Sequence, residues 1–284
     1  MIDKSIVRKH FDRHASEYDR YAVVQKEMAD KLLARLSACF NGLPGKDDHD
    51  PLRVLEIGCG TGYLTEKLAQ LWPKAEIVAV DISEAMVNQA QKRLGRTLDR
   101  CRFIVDDAER WARDEEQGDG GLHHQFDIMV SNATFQWFVE PEQTVSRLLN
   151  RLRSGGFFAF STFGPRTFHE LHESFRMAEA ELGLPHLPHG QTFVTPDEWQ
   201  RWLTAQATVR ASEAYEHVMT YASVREFLDH VKRIGAGNAN KGRTHAAGVN
   251  RALFRLMYER YRERFGDDKG IFATYDVLLY VCEK

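Results

Sequence analysis

Two short stretches of this 284-residue chain carry residue types that could do chemistry together: V-L-E-I-G-C-G-T-G, residues 54–62, and V-A-V-D-I-S, residues 78–83. Gly58, Gly60 and Gly62 allow a backbone to turn sharply and to come close to a ligand. Asp81 follows at about the twenty-residue interval of acids that accept hydrogen bonds from both hydroxyls of a ribose. A dinucleotide fingerprint would place its third glycine at the sixth motif position, where a helix packs close to a pyrophosphate. Here that position is Tyr63. Glu56 sits at the strand end, where a carboxylate repels a diphosphate and attracts an ammonium. The pattern therefore points to a cationic nucleoside without phosphates and away from a nicotinamide dinucleotide. A glycine turn by itself would be only a connector; the acid on the next strand makes it a binding motif.

These residues need a strand, a helix and a second strand to hold them. A short apolar run bounded by glycines, a helix-forming segment and a second apolar run ending in an acid make one β-α-β unit. The patterns predict strands over 53–57, 76–81, 102–106, 126–131 and the F-F-A-F-S-T-F run, with helices over 63–71, 85–93 and 142–152, the last ended by Gly155 and Gly156. N-A-T-F-Q-W-F, 132–138, leaves the carboxyl end of the fourth strand, where open α/β sheets bind ligands. It is either a second chemical segment or a turn with buried aromatics. Ahead of the sheet, Val24, Met28, Leu32, Leu33 and Leu36 form one stripe of a helix, and residues 41–51 read as a linker. Beyond Gly164 the patterns predict helices over 168–182, 196–203, 224–234 and 246–264, and strands over 209–221 and 271–283. Thr195 and Pro196 are the cap and first position of the second of these helices.

A hydrophobic content of 43% is enough for one sheet domain with a sizeable appendage. A net charge of −3 and a pI near 6.5 give no global signal for nucleic acid or an anionic membrane, so any basic site must be local. No apolar run approaches the roughly 18 residues of a bilayer span, and the start lacks a leader's apolar core, so the expected compartment is the cytoplasm. Cys39, Cys59, Cys101 and Cys282 are scattered and suggest neither zinc nor a disulfide framework. His123 and His124 read as surface residues with no metal-ligand spacing around them.

The glycine stretch resembles motif I of the class I S-adenosylmethionine-dependent methyltransferases. The resemblance implies that Gly58 to Gly62 pass beneath the amino-acid part of S-adenosylmethionine, that Asp81 holds the ribose hydroxyls and that Ile82 lies against adenine. It also places an acid after the third strand at the adenine amino group: Asp107, with Asp106 close behind. Glu56, Cys59, Met86, Ala108 and Asn132 complete the expected cofactor set. F-D-R-H-A-S-E-Y-D near the start is similar to a segment that folds over the cofactor, which would give Tyr18 a catalytic and cofactor-facing place; the alternative is a plain packing helix carrying Val7, Phe11, Tyr18 and Tyr21.

Together with S-N-A-T-F-Q-W-F, F-S-T-F-G-P-R-T-F-H-E-L (160–171) and V-K-R-I-G-A-G-N-A-N (231–240), that segment resembles the malonyl-acyl-carrier-protein O-methyltransferase family of biotin synthesis along nearly the whole chain. The implied fold is a Rossmann-like, seven-stranded class I methyltransferase sheet with an N-terminal helical lid and a helical insertion after the fifth strand. Its expected parts are 1–50 (helices and lid), 51–163 (cofactor core), 164–222 (substrate-side insertion and sixth strand) and 223–284 (helices and closing strand). The implied reaction is methylation of the free carboxylate of malonyl-acyl carrier protein, or of malonyl-coenzyme A, without a metal. Gln136, Trp137, Arg166, Lys232, Arg233, Asn238 and Lys241 are the expected substrate residues, with Arg243 in the same basic group. A carboxylate is already ionised near neutral pH and needs no general base. A methyltransferase for a free small acid of the trans-aconitate type and a non-catalytic cofactor-binding subunit stay open as alternatives.

Overall fold

The computed structural model describes residues 2–40, 50–117, 126–237 and 247–284. Five parallel strands, β1 (Arg53–Ile57), β2 (Glu76–Asp81), β3 (Cys101–Val105), β4 (Phe126–Asn132) and β5 (Leu152–Phe163), form the core of one sheet. β6 (Thr208–Tyr221) and β8 (Gly270–Glu283) extend it in the order β3-β2-β1-β4-β5-β8-β6, with β8 antiparallel to both neighbours. The expected seven strands are this path. A two-residue β7 (Gly266–Asp267) pairs with the start of β8.

Helices cover both faces of the parallel part, which is why its strands read as near-continuous apolar runs. Because successive side chains alternate between faces, Val54 joins one core with Ile128 and Val130, whereas Leu55 and Ile57 join the other with Met129 and Phe158. The first core is closed by α3 (Val23–Cys39) and α4 (Tyr63–Leu71); the stripe Val24, Met28, Leu32, Leu33 and Leu36 is buried as its spacing predicts. The second is closed by α6 (Ala108–Gln117), α7 (Pro141–Arg151) and α9 (Pro196–Thr204), whose Trp199 and Leu203 are buried. The side-chain and backbone bonds between Thr195 and Glu198 form the capping box that fixes the start of α9.

One boundary differs from the sequence pattern. α7 ends at Arg151 and β5 starts at Leu152, so Gly155 and Gly156 lie within the strand. The register of β4 against β5 shifts between Phe126 and Ile128. A Cβ on Gly156 would stand 2.9 Å from the carbonyl oxygens of Arg153 and Asp127, and Gly155 donates its N–H to the Lys284 carbonyl at 2.7 Å. The glycines serve a strand irregularity, not a helix stop.

α5 (Glu84–Leu94) follows β2. α8 (His169–Glu181), α10 (Val224–Arg233) and α11 (Ala247–Phe265) pack around Phe227, Leu253, Met257 and Tyr261 beside the antiparallel edge. α1 (Lys4–His14) and α2 (Tyr18–Tyr21) cross the carboxyl ends of the strands. Among the described residues no helix is long and apolar enough to cross a membrane.

Candidate active site

The loop after β1 uses its three glycines for three different reasons, all at positive φ (+72°, +52° and +81° for Gly58, Gly60 and Gly62). A Cβ on Gly58 would fall 2.0 Å from Oγ1 of Thr134, in the turn after β4. One on Gly62, the residue before α4, would fall 2.9 Å from Cα of Ala90 in α5, so this glycine lets two helices meet. Gly60 has open space around its Cβ position and lines the pocket. Its N–H donates to Oδ2 of Asp81 at 2.9 Å, and the Ser83 N–H donates to Oδ1 at 2.8 Å. Each carboxylate oxygen thus has one backbone donor and retains capacity for a hydroxyl. Burial pushes Asp81 up to about 6, against the pull of those two donors.

Glu56 lies deeper. It is buried at the end of β1, and its Oε2 has no hydrogen-bond partner. Burial, helped by the Asp81 charge, lifts its carboxyl to about 8. An orphaned carboxyl oxygen beside a glycine loop could receive an ammonium, which would let the group ionise.

Two small pockets flank the loop. Gly58, Gly60, Asp81, Ile82, Met86 and Asp107 line one, together with Ala108 and Asn132; Glu56, Cys59, Gly60 and Asn132 line the other. Tyr18 reaches both. The first has the donors and acceptors of an adenosine site, the second those of an amino-acid end, so the residues present fit S-adenosylmethionine. Asp107 is already engaged: its Oδ1 accepts from Lys4 Nζ at 2.8 Å and from the Glu109 N–H at 3.0 Å. Asp106 is bound by Arg110. The Asn132 amide is a tie between elements, donating to the Gln25 carbonyl at 2.9 Å and accepting from the Ser161 hydroxyl at 2.6 Å.

The N-terminal segment lies across these pockets and is clamped to their rims. Ser83 Oγ donates to Asp12 at 2.6 Å, Thr61 Oγ1 donates to Asp19 at 2.8 Å, and Arg93 also binds Asp19. Arg233 of α10 pairs with Glu17 at 2.7 Å. The Phe11 ring meets Trp137 edge-on with centroids 5.6 Å apart. Burial, then the Asp81 and Asp19 charges, hold the Tyr18 phenol far above its ordinary value. The phenol is therefore protonated near neutral pH and can donate a hydrogen bond.

A third cavity, of about 480 Å³, runs from this junction into the appendage. Aromatic rings form much of its wall: Phe163 from β5, Phe168 and Phe175 from the cap and second turn of α8, Phe193 from the connection before α9, and Tyr275 from β8. Ala133 and Phe168, the two non-glycine residues at positive φ (+50° and +56°) among the described residues, both line it. Such backbone strain persists only where the surroundings enforce it, and it collects at functional sites.

A family profile described as a methyltransferase domain matches residues 48–207, the part that holds the glycine loop and the five parallel strands. The malonyl-acyl-carrier-protein O-methyltransferase of Anoxybacillus flavithermus is 40% identical to this chain, covering 98% of it and 97% of the relative. The enzyme of that name from Acetivibrio thermocellus is 39% identical over 100% and 95% of the two chains, and the one from Halalkalibacterium halodurans 36% identical over 99% of both. This chain belongs to the malonyl-acyl-carrier-protein O-methyltransferase family. The magnesium protoporphyrin IX methyltransferase of Synechocystis PCC 6803, solved with bound SAH, shares the fold with a TM-score of 0.55 at 17% identity, over 99% of each chain. The YcgJ protein of Bacillus subtilis gives 0.56 at 15% identity, over 90% of this chain and 98% of its own.

In this O-methyltransferase all eleven residues expected at the cofactor line one or both small pockets. Of the expected substrate residues, Gln136, Trp137 and Lys232 line the large cavity. Arg166 is exposed, pairs with Glu216 at 2.8 Å and is not in that lining; Arg233 is spent on Glu17. Asn238, Lys241 and Arg243 lie outside the described residues, as do His123 and His124. Sequence reasoning missed Lys4, which reaches Asp107 from 103 residues away, and the aromatic wall. Phe168 and Phe175 are seven residues apart at the cap and in the second turn of α8, but Phe163, Phe193 and Tyr275 lie on other parts of the chain, so no single periodicity outlines the wall.

Proposed function

We propose that this enzyme transfers the methyl group of S-adenosylmethionine to the free carboxylate of malonyl-acyl carrier protein, giving the methyl ester and S-adenosylhomocysteine. The observation that carries the reading is the meeting of a nucleoside-type site and an apolar, aromatic cavity at Tyr18, in a chain whose relatives bear that name along their full length. S-adenosylmethionine supplies the electrophilic methyl group and a positive charge. The chain's own residues bind, orient and exclude water. Glu56 would take the ammonium, Asp81 the two ribose hydroxyls, and Asp107 the adenine edge after Lys4 gives way. Residues 1–50 act as the lid over residues 51–163, and the parts from 164 onward form the acceptor side. The aromatic wall keeps water from the acceptor, which strengthens every polar contact inside. No proton has to be removed from a carboxylate, and Tyr18, held protonated, donates to it. The four free cysteines suit a cytoplasmic enzyme.

The test is mass spectrometry of malonyl-acyl carrier protein after incubation with enzyme and S-adenosylmethionine. One added methyl group is expected, with malonyl-coenzyme A and free polycarboxylic acids as competing acceptors in parallel. Absence of the ester on the carrier protein, with ester on a free acid, overturns the reading. Tyr18→Phe is expected to lower kcat/KM by about ten- to a hundredfold, the worth of a hydrogen bond to a charged group; full turnover would reduce Tyr18 to packing.

Lys232, whose ammonium is mostly exposed beside Asp229, is placed to attract an acidic carrier. Lys232→Glu should reduce kcat/KM for the carrier-bound substrate by about two- to fivefold at low salt, the loss fading as salt rises, with S-adenosylhomocysteine affinity intact. Arg233 is unsuited to this experiment, because reversing it also sets two carboxylates against each other at Glu17.

A further inference from the structure

The acceptor cavity and the pocket in front of Glu56 share two lining residues, Tyr18 and Gln25. Gln25 occupies the first turn of α3 and is 8% exposed. Its backbone carbonyl accepts from the Asn132 amide, which itself accepts from Ser161, so the residue is fixed against the carboxyl ends of β4 and β5. Its side-chain amide makes no hydrogen bond among the described residues. The amide is not one of the sealed polar groups of the interior: it reaches the pocket space, where its two N–H donors are available to a ligand.

The electrostatics of the junction sharpen this. Phe11, Tyr18, Gln25, Ala133 and Trp137 are the residues that the large cavity shares with one or other small pocket, and none carries a charge. Among the described residues, two of the cations that sequence reasoning offered to the acceptor are engaged elsewhere, Arg166 by Glu216 and Arg233 by Glu17, while Lys232 lines the large cavity with its ammonium mostly exposed beside Asp229; Lys241 and Arg243 lie outside the described residues. An ion pair with arginine or lysine would hold a carboxylate firmly but would draw charge from the attacking oxygen. A neutral N–H forms a directional, charge-assisted bond to a carboxylate without that neutralisation. Trp137 lines the same junction, and its indole N–H makes no hydrogen bond among the described residues, so that residue can supply a second neutral donor.

We propose that the Gln25 side-chain amide binds the acceptor carboxylate, donating one N–H to the oxygen that is not attacking and so turning the other toward the methyl donor. This rests on the functional reading above. Specificity for a free acid over an ester or amide follows, because only a carboxylate offers two equivalent, charge-bearing oxygens, one to be held and one to react.

The experiment compares wild type, Gln25→Met and Gln25→Glu, all of which keep the backbone bond from Asn132. Calorimetry measures S-adenosylhomocysteine affinity, and steady-state kinetics measure kcat and KM for malonyl-acyl carrier protein. Gln25→Met keeps length and volume without a donor and is expected to lower kcat/KM by about ten- to a hundredfold, with S-adenosylhomocysteine affinity within threefold of wild type. Gln25→Glu is the closer isostere, yet it is expected to be the worse enzyme because it sets a like charge against the acceptor. A packing role predicts the reverse order. Kinetics within threefold of wild type for Gln25→Met, or Gln25→Glu outperforming it, overturns the proposal. A tenfold loss of S-adenosylhomocysteine affinity in Gln25→Met also overturns it, by assigning the amide to the methyl donor. Should Gln25→Met unfold, Gln25→Asn, which keeps the donor but shortens its reach, is compared with Gln25→Glu by the same measures: Gln25→Asn above Gln25→Glu supports the proposal, and equality overturns it. Wild-type enzyme inactive on malonyl-acyl carrier protein overturns the functional reading itself, a result separate from any of these.

Discussion

In Glu56→Gln enzyme, affinity for S-adenosylhomocysteine at pH 7.5 is expected to fall by about ten- to a hundredfold, and its dependence on pH between about 6 and 7.5 to disappear. The free wild-type protein holds the Glu56 carboxyl protonated up to about pH 8, because the group is buried and its Oε2 has no partner. An ammonium placed against it favours the carboxylate, so the proton leaves on binding. Binding that releases a proton strengthens as pH rises. The logarithm of wild-type affinity should therefore climb by close to one unit per pH unit between about 6 and 7.5. Above about 8 Glu56 is already ionised in the free protein and the curve levels off, turning over only once the ligand's own amino group loses its proton. Below about 6 a second loss sets in as Asp81, pushed up to about 6, takes up a proton that opposes its acceptance of the ribose hydroxyls. Calorimetry in two buffers of different ionisation enthalpy reads the proton release directly. A flat wild-type profile, or the same slope in Glu56→Gln, would sink the assignment of the ammonium to Glu56.

Gly58→Ala is expected to remove measurable cofactor binding and to lower the unfolding temperature. Two effects add. A non-glycine residue at φ +72° costs roughly 1–2 kcal/mol, and the new methyl would stand 2.0 Å from Thr134 Oγ1 and 2.6 Å from its Cγ2. Thr134 cannot simply turn away, since its hydroxyl donates to the Asn132 carbonyl at 3.0 Å. Adding Thr134→Gly should relieve the collision and leave the backbone strain, so Gly58→Ala/Thr134→Gly is expected to be more stable than Gly58→Ala while remaining below wild type. Thermal unfolding of the single and double variants, with S-adenosylhomocysteine titration of each, separates the two contributions. Equal stability of the single and double variants would show that the collision is not the cause.

Much of the cofactor side was legible in the residues because its determinants are local. The glycine spacing requires a turn at positive φ, the apolar runs require strands buried on both faces, and Asp81 lies one β-α-β unit from the loop it binds. The buried stripe of α3 and the capping box of α9 follow from periodicity and cap chemistry within a few residues. Even locally the reading failed where a glycine has two uses: Gly155 and Gly156 looked like a helix stop and instead accommodate a shift in strand register.

What only the tertiary structure decided is where the charges and the unspent polar groups end up. Arg233 meets Glu17 across 216 residues and Lys4 meets Asp107 across 103, and no periodicity records such pairings. An arginine in a sequence reads as a basic residue available to a substrate until its partner is seen. The aromatic cavity likewise exists because rings from separate elements converge, and Gln25 stood unnoticed inside an amphipathic helix until its amide was found facing the junction of the donor and acceptor sites. Backbone conformation is set mainly by neighbours along the chain, so the sequence by itself determined the fold and the lining of the two pockets at the glycine loop; which side chains are left free to act is set by neighbours in space, so the large cavity waited for the structure.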